Sequence, residues 1–118
     1  MHQKPTAGQE YEDLAVQFLE KSGLSILQRN FRARRGELDV IAREGDILVF
    51  VEVKGGKAFV PLQTRVTRTK MQRITRAIRV FLHQHPEISY EHIRVDIITV
   101  EEPAKTIQHF RDVSGDFA

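Results

Sequence analysis

The stretch that most constrains the fold of this chain is residues 36–54, GELDVIAREGDILVFVEVK. Two apolar runs in it are separated by the turn signal Arg43-Glu44-Gly45-Asp46. Gly45-Asp46 fits a two-residue loop with glycine at its first position, which predicts a β-hairpin. The register that follows from this loop has the pairs Glu44–Ile47, Ala42–Val49 and Val40–Val51.

Charged side chains are predicted to gather on one face at the open end of this hairpin. Two further pairs continue the register, Asp39 opposite Glu52 and Glu37 opposite Lys54. Because side chains alternate along a strand, all four share one face. The other face is predicted to carry Leu38, Val40, Val49, Val51 and Val53.

A pair of directly opposed carboxylates is destabilising unless something compensates its charge. Carboxylates suit a hard cation, so Asp39 and Glu52 predict a site for Mg²⁺ or Mn²⁺. Lys54, two residues from Glu52 on the same face, would then point towards a phosphate. The alternative is an ordinary charged end of a sheet, in which Lys54 pairs with Glu37 and Asp39. Ile41, Leu48 and Phe50 share the charged face, which favours a cleft at the margin of a covered sheet.

Hydrophobic periodicity predicts the other elements. Helices are expected over residues 8–22 and 67–84, and strands over 24–32 and 93–100. An edge strand over 107–110 is an additional option, residues 1–7 are expected to be loose, and residues 55–61 are expected to form a flexible loop. A chain of 118 residues is expected to be a single domain. The order α-β-β-β-α-β predicts an α/β fold with a mixed sheet flanked by helices.

Basic residues are concentrated in one part of the chain. The net charge is only +2, but residues 53–86 contain no Asp or Glu. The basic positions expected to face a polyanion are Lys57, Arg68, Lys70, Arg73, Arg76 and Arg79. This asymmetry favours contact with a nucleic acid, with a solvated cationic helix face as the alternative. Both interpretations also stay open for Arg29, Arg32, Arg34 and Arg35.

Other features narrow the class of protein. The chain has no cysteine, which is simplest to reconcile with a reducing cytoplasm. It has no apolar run of membrane-spanning length, and its beginning is too polar for a signal peptide. The histidines show no zinc-ligand spacing. Asp96, inside an apolar strand, is interpreted as structural, with Arg94, Lys70 or a backbone amide as its partner.

Asp39 followed by Glu52-Val53-Lys54 resembles the PD-(D/E)XK nuclease signature of the restriction-endonuclease-like fold. Taken in order over about residues 8–100, the chain resembles the YraN-like family of small uncharacterised bacterial proteins, which are related in fold to archaeal Holliday-junction resolvases. The segments that carry this resemblance are Glu12-Asp13-Leu14-Ala15, Gln28-Arg29-Asn30-Phe31-Arg32, Gly36 to Ile41, Val49 to Lys54, Lys70 and Arg94-Val95-Asp96. The chain departs from the family pattern at Gly56, where an arginine is usual, and at Tyr11, where a glycine is usual.

The resemblance implies catalytic roles for Asp39, Glu52 and Lys54. It also implies that Glu12 of the first helix lies near the metal held by Asp39 and Glu52. A solvated glutamate in the first helical turn is the alternative for Glu12, and Glu10 is a competing candidate.

Three functions are consistent with the sequence. The first is a Mg²⁺-dependent endonuclease acting on DNA, including branched or structured DNA. The second is a non-catalytic nucleic-acid-binding module with the same fold, and the third is a protein–protein adaptor. One small domain has one active site, so cleavage of both strands would require a homodimer or two encounters.

Overall fold

The computed structural model describes residues 4–57 and 67–113. Its elements, in chain order, are α1 (Ala7–Lys21), β1 (Ser25–Ala33), β2 (Gly36–Glu44), β3 (Ile47–Lys57), α2 (Arg68–Gln84), β4 (His92–Glu102) and β5 (Thr106–Phe110). The predicted α/β class and the order α-β-β-β-α-β are confirmed, and the optional edge strand is present as β5. This architecture is compatible with a restriction-endonuclease-like core. In the described parts of the chain, neither helix has the length and apolar composition needed to cross a membrane.

The five strands form one mixed sheet in the order β1-β2-β3-β4-β5. β3 and β4 are parallel and are connected through α2, whereas every other neighbouring pair is antiparallel. The hairpin of β2 and β3 has the predicted pairs Glu44–Ile47, Ala42–Val49 and Val40–Val51. The glycine of the turn, Gly45, has φ 60°, a conformation that favours glycine.

Each face of the sheet is covered by one helix. On the α1 side the buried residues include Ala15, Leu19, Val40, Val49, Val51 and Ile98. On the α2 side they include Leu38, Ile41, Phe50, Ile74, Phe81 and Ile97. The sheet therefore lies between two apolar layers, which explains why its central strands are apolar on both faces.

The strict alternation predicted for β2 is broken next to Asp39. Leu38 packs on the α2 side, although Val40, two residues later, packs on the α1 side. The prediction that Leu38 shares a face with Val40 is therefore wrong. In β1, Asn30 lies between the partners of Val40 and Leu38 and has φ 54°, so both strands are irregular at the same level of the sheet. An irregularity in a strand reverses the side on which the following residues lie.

Two predicted flexible segments are more ordered than expected. Thr6 caps α1 by accepting a hydrogen bond from the Gln9 amide, so the loose segment does not extend through residues 6 and 7. β3 continues through Gly55 and Gly56 to Lys57, which pairs with Glu102 of β4, so the loop prediction is wrong for residues 55–57. Residues 58–61 of that prediction lie outside the described residues.

Tyr11 explains why glycine is needed at position 55. A Cβ on Gly55 would lie 1.9 Å from the Tyr11 ring, which is far inside contact distance. The Tyr11 hydroxyl then donates a hydrogen bond to Glu102 at 2.8 Å. The departure at Tyr11 is therefore accommodated by the packing of its ring directly on the backbone of β3.

Candidate functional site

The hairpin opens at Asp39. The ladder between β2 and β3 ends at the pair Val40–Val51, and beyond it Asp39 Oδ2 accepts a hydrogen bond from the Val53 amide at 2.8 Å. A side-chain carboxylate has thus replaced the backbone acceptor that a continued ladder would supply. The predicted pairs Asp39–Glu52 and Glu37–Lys54 are consequently absent from the β2–β3 ladder of the described residues.

The separated strands create a space that side chains of three elements fill. Glu52 of β3 is 3% exposed. Its Oε1 lies 3.2 Å from Lys70 Nζ of α2 and 3.4 Å from Lys54 Nζ. Lys70 Nζ also lies 3.4 Å from Glu37 Oε1. The structure therefore brings together five predicted residues, Asp39 among them, and we call them the carboxylate–lysine cluster: Glu37, Asp39, Glu52, Lys54 and Lys70.

The second carboxylate oxygen of Glu52 has no partner. Glu52 Oε2 is buried and receives no hydrogen bond. An unsatisfied buried polar atom carries a desolvation penalty of about 1–3 kcal/mol, and more when it is charged. Glu52 is therefore satisfied on the side of the lysines and unsatisfied on the other side.

Asp39 shows the electrostatic consequence of this arrangement. Burial, the negative charge of Glu52 and a hydrogen bond between the two carboxyl groups raise the pKa of Asp39 to about 7, and the Val53 amide and Lys70 only partly oppose this. The pKa of Lys70 is raised, because the charges of Glu52 and Glu37 outweigh the opposite effect of its burial. Asp39 therefore keeps its proton to a higher pH than an ordinary aspartate.

The cluster fits a divalent cation in charge and in donor type. With Asp39 ionised, three carboxylates face two ammonium groups, which leaves one net negative charge. Asp39 and the free oxygen of Glu52 are hard oxygen donors, and Mg²⁺ is commonly held by one or two carboxylates together with waters and substrate phosphates. Asp39 and Glu52 could therefore hold such an ion without a third protein carboxylate.

Glu12 is not brought into this cluster. It is buried on the α1 side of the sheet, where Oε1 accepts hydrogen bonds from Arg29 Nε at 2.9 Å and Asn30 Nδ2 at 3.0 Å. Within residues 4–57 and 67–113, no group of three or more His, Asp or Glu side chains is placed to hold a metal ion. The predicted ligand set of Asp39, Glu52 and Glu12 is thus not assembled, because the first-helix glutamate is bound by β1. The prediction of a solvated Glu12 is also wrong.

The predicted basic helix face exists and lies beside the cluster. The side chains of Arg68, Arg73, Arg76 and Arg79 are exposed on α2, and Lys70 of the same helix points into the cluster. α2 has no acidic residue in its first turn, so the positive end of its dipole is not balanced there by a carboxylate of its own. Lys57 is exposed at the end of β3.

The arginines before the hairpin divide into two kinds. Arg29 is bound to Glu12 and Asp13, so it has a structural role. Arg34 and Arg35 are exposed in the turn before β2. That turn lies against α2, since a Cβ on Gly36 would lie 2.4 Å from the Arg73 carbonyl oxygen. The turn arginines therefore adjoin the basic face of α2.

Asp96 is satisfied, in contrast to Glu52. It is fully buried and accepts hydrogen bonds from Arg94 Nε at 2.9 Å, Arg94 Nη2 at 3.0 Å and the Asp112 amide at 3.0 Å. His109 Nε2 lies 2.7 Å from Asp96 Oδ2, the oxygen that also accepts from Arg94 Nη2. Arg94 and a backbone amide were among the predicted partners. His109 was missed, because only the pairing of β4 with β5 brings it to Asp96.

Comparison with known proteins gives one consistent family. The model of the uncharacterised protein family UPF0102 matches residues 11–100. A UPF0102 protein of Kosmotoga olearia is 42% identical over 106 residues, covering 90% of each chain. One from Kineococcus radiotolerans is 38% identical over 117 residues, covering 94% of this chain and 95% of that protein.

Proposed function

We propose that this chain, which belongs to the uncharacterised protein family UPF0102, is a metal-dependent phosphodiesterase that cleaves DNA. The observation that supports this most directly is the half-satisfied carboxylate of Glu52. One of its oxygens binds two lysines, whereas the other is buried and receives no hydrogen bond from an amide, ammonium or hydroxyl group, and the carboxyl group of Asp39 is in contact with Glu52. A protein gains nothing in stability from such an atom, which suggests that the site is built for a ligand.

Asp39 and Glu52 are the proposed ligands of Mg²⁺ or Mn²⁺. A cation bound there supplies Lewis-acid activation of a water and neutralises charge on the scissile phosphate. Asp39 is oriented by the Val53 amide, and Glu52 is held by Lys70, so neither carboxylate needs to reorganise when the ligand arrives. With this pair of ligands, the chain would belong to the PD-(D/E)XK nuclease superfamily.

The two lysines have different proposed roles. Lys54 is about one-third exposed, so its ammonium group can reach a phosphate and stabilise negative charge that develops during cleavage. Lys70 is 18% exposed and lies between Glu37 and Glu52. It is proposed to position Glu52.

The exposed arginines of α2 are the proposed contact surface for DNA. They lie on the helix that delivers Lys70, so a duplex along α2 would place its backbone next to the cluster. Arginines bind phosphates with two parallel hydrogen bonds, and such contacts fix position without reading sequence. The turn residues Arg34 and Arg35 widen the same surface.

The metal site is tested by isothermal calorimetry with Mn²⁺. Wild-type protein is expected to bind saturably, and Asp39→Asn is expected to lose binding while remaining folded. Glu12→Gln is the matched control, because Glu12 is a buried carboxylate on the other side of the sheet. A wild-type protein that binds no Mn²⁺, either alone or with duplex DNA present, would contradict the proposal. Loss of Mn²⁺ binding in Glu12→Gln would instead show that Glu12 is needed to hold the metal.

Cleavage is tested with labelled linear, nicked and branched DNA in Mg²⁺ or Mn²⁺. Asp39→Ala and Lys54→Ala are expected to lower the rate by at least about a hundredfold, since each removes a charge at the reacting centre. Circular dichroism checks that both variants remain folded. Equal cleavage by wild type and both variants would remove the cluster from the chemistry.

A non-catalytic nucleic-acid-binding module is the second candidate. It is favoured by the way Lys54 and Lys70 already neutralise Glu52 without a cation. With this function, the affinity for DNA would not depend on Mg²⁺ and would not change in Asp39→Asn. Under either function, replacing Arg73, Arg76 and Arg79 together with glutamine is expected to lower the salt slope by about three. An unchanged slope would exclude α2 from the interface, and no nucleic-acid binding at low salt would favour a protein–protein adaptor.

A further inference from the structure

A second buried polar atom in the described residues lacks a partner. Thr99 of β4 is 1% exposed, and its Oγ1 has no hydrogen bond. The only other buried side-chain atom in this condition within residues 4–57 and 67–113 is Glu52 Oε2. The sheet register shows that these two atoms belong to one place in the fold.

Thr99 lies on the same face of the sheet as the carboxylate–lysine cluster. Its neighbours at alternate positions, Val95 and Ile97, pack on the α2 side, so Thr99 points to that side as well. In the parallel ladder Thr99 is the direct partner of Lys54, and Ile97 is the partner of Glu52. Thr99 is therefore one strand across and two residues along from Glu52.

The coincidence of the two unpaired atoms indicates a shared ligand. An unpaired buried hydroxyl costs stability, and replacing it by a methyl group of the same shape would remove that cost. Glu52 Oε2 can only accept hydrogen bonds or bind a cation, whereas a hydroxyl both donates and accepts. A hydrated divalent cation meets both needs, because Glu52 Oε2 binds the cation itself and a water on the cation donates a hydrogen bond to Thr99 Oγ1. Mg²⁺ typically keeps several such waters.

We propose that Thr99 is a positioning residue of the metal site and that its hydroxyl binds a water of the cation held by Asp39 and Glu52. The proposal rests on the metal site proposed above. β4 would thereby contribute to the metal site through a bound water, whereas the hairpin contributes the carboxylates that bind the cation directly. Groups that orient the ligands of a metal typically contribute a factor of about 10–100 to its affinity.

The experiment compares Mn²⁺ binding of wild type, Thr99→Val and Thr99→Ser by calorimetry, and measures the thermal stability of each metal-free protein. Thr99→Val is expected to bind Mn²⁺ about tenfold more weakly and to be at least as stable as wild type when metal-free. Thr99→Ser, which keeps the hydroxyl, is expected to bind within about threefold of wild type. The matched control is Thr75→Val, since the Thr75 hydroxyl donates to the Met71 carbonyl in α2, and its Mn²⁺ affinity is expected to be unchanged.

Two results of the affinity measurements would overturn the role of Thr99 and leave the metal site standing. These are wild-type affinity in Thr99→Val, and equal weakening in Thr99→Val and Thr99→Ser. A marked loss of metal-free stability in Thr99→Val would also overturn it, by showing that the hydroxyl has a structural partner. Absence of Mn²⁺ binding in the wild type would instead overturn the metal site, and the role of Thr99 with it.

Discussion

Two aspartates in this sheet, the buried Asp96 and the half-buried Asp39, have opposite electrostatic environments. Asp96, in β4, is bound by a guanidinium group, an imidazole and a backbone amide, and its pKa is lowered although burial acts to raise it. Asp39, in β2, has one backbone amide and a neighbouring carboxylate, and its pKa is raised to about 7. The first arrangement stabilises the native fold, and the second weakens it. An unfavourable charge arrangement of this kind at the end of the hairpin is what a functional site would produce there, and it supports the proposed function.

The largest expected effect is that of Asp96→Ala. The substitution takes their shared partner from His109 and from Arg94, which still pairs with Glu44, and it is expected to cost about 3 kcal/mol of unfolding free energy. Asp39→Asn at the same pH is expected to cost nothing or to stabilise, because asparagine keeps an acceptor for the Val53 amide and removes the repulsion with Glu52. Urea denaturation at pH 7.5 measures both. Equal losses in the two variants would show that Asp39 stabilises the fold as much as Asp96 does.

The pH dependence of stability is expected to show the contribution of Asp39. Its native pKa of about 7 lies above the ordinary 3.8, so the native state binds a proton more tightly than the unfolded state. The contribution of Asp39 to stability therefore declines as pH rises from about 4 to about 7, by roughly 4 kcal/mol at most. Asp39→Asn should remove this decline. Unfolding curves of the two proteins at several pH values measure it, and parallel profiles would count against the raised pKa.

Asp96 is expected to act in the opposite sense at lower pH. Its native pKa is depressed, so its stabilising contribution is present above the unfolded value near 4 and is lost as pH falls below it.

Metal affinity should change with the same group. If Asp39 binds Mn²⁺ as proposed, it must be ionised to do so, and each pH unit below about 7 is then expected to weaken binding about tenfold, which is about 1.4 kcal/mol. Calorimetry at pH 5.5, 6.5 and 7.5 gives the slope. Asp96→Asn, if folded, is the control and should show the same slope as wild type. A pH-independent affinity would contradict the raised pKa of Asp39 if Asp39→Asn abolishes binding, and would exclude Asp39 as a ligand if Asp39→Asn binds like wild type.

The smallest expected effect concerns the quality of the bonds to Asp96. Arg94→Lys keeps the charge but loses the two parallel hydrogen bonds, so a loss of about 1–2 kcal/mol is expected. Arg29→Lys is the control, because Arg29 is 38% exposed and its ion pairs with Glu12 and Asp13 are worth less than about 1 kcal/mol. Thermal or urea unfolding distinguishes them. Similar small losses would indicate that the burial of Arg94 adds little to its bond with Asp96.

Local sequence patterns predicted most of the fold. Gly45-Asp46 defined the turn and therefore the hairpin register, because a two-residue loop leaves only one way to pair the strands. Apolar periodicity located both helices, because a 3.6-residue repeat must be buried on one side.

The candidate site was less predictable, because it depends on where regular pairing stops. Strict alternation placed Leu38 on the wrong face and continued the ladder past Val40. The irregularity near Asn30 and the bond from the Val53 amide to Asp39 are responsible, and both involve residues on neighbouring strands. The sequence likewise predicted correctly that Glu12 lies in the first helix, but it did not predict that Arg29 is its partner.

The sequence by itself therefore determined the elements, the hairpin and the identity of the charged residues, since these depend on neighbours along the chain. The tertiary structure decided which charged groups are satisfied. Asp96 gains His109 from β5, while Glu52 keeps one free oxygen across from β4 and Thr99. The physical reason is that burial and hydrogen bonding depend on residues far apart in the chain, and only the packed sheet brings these together.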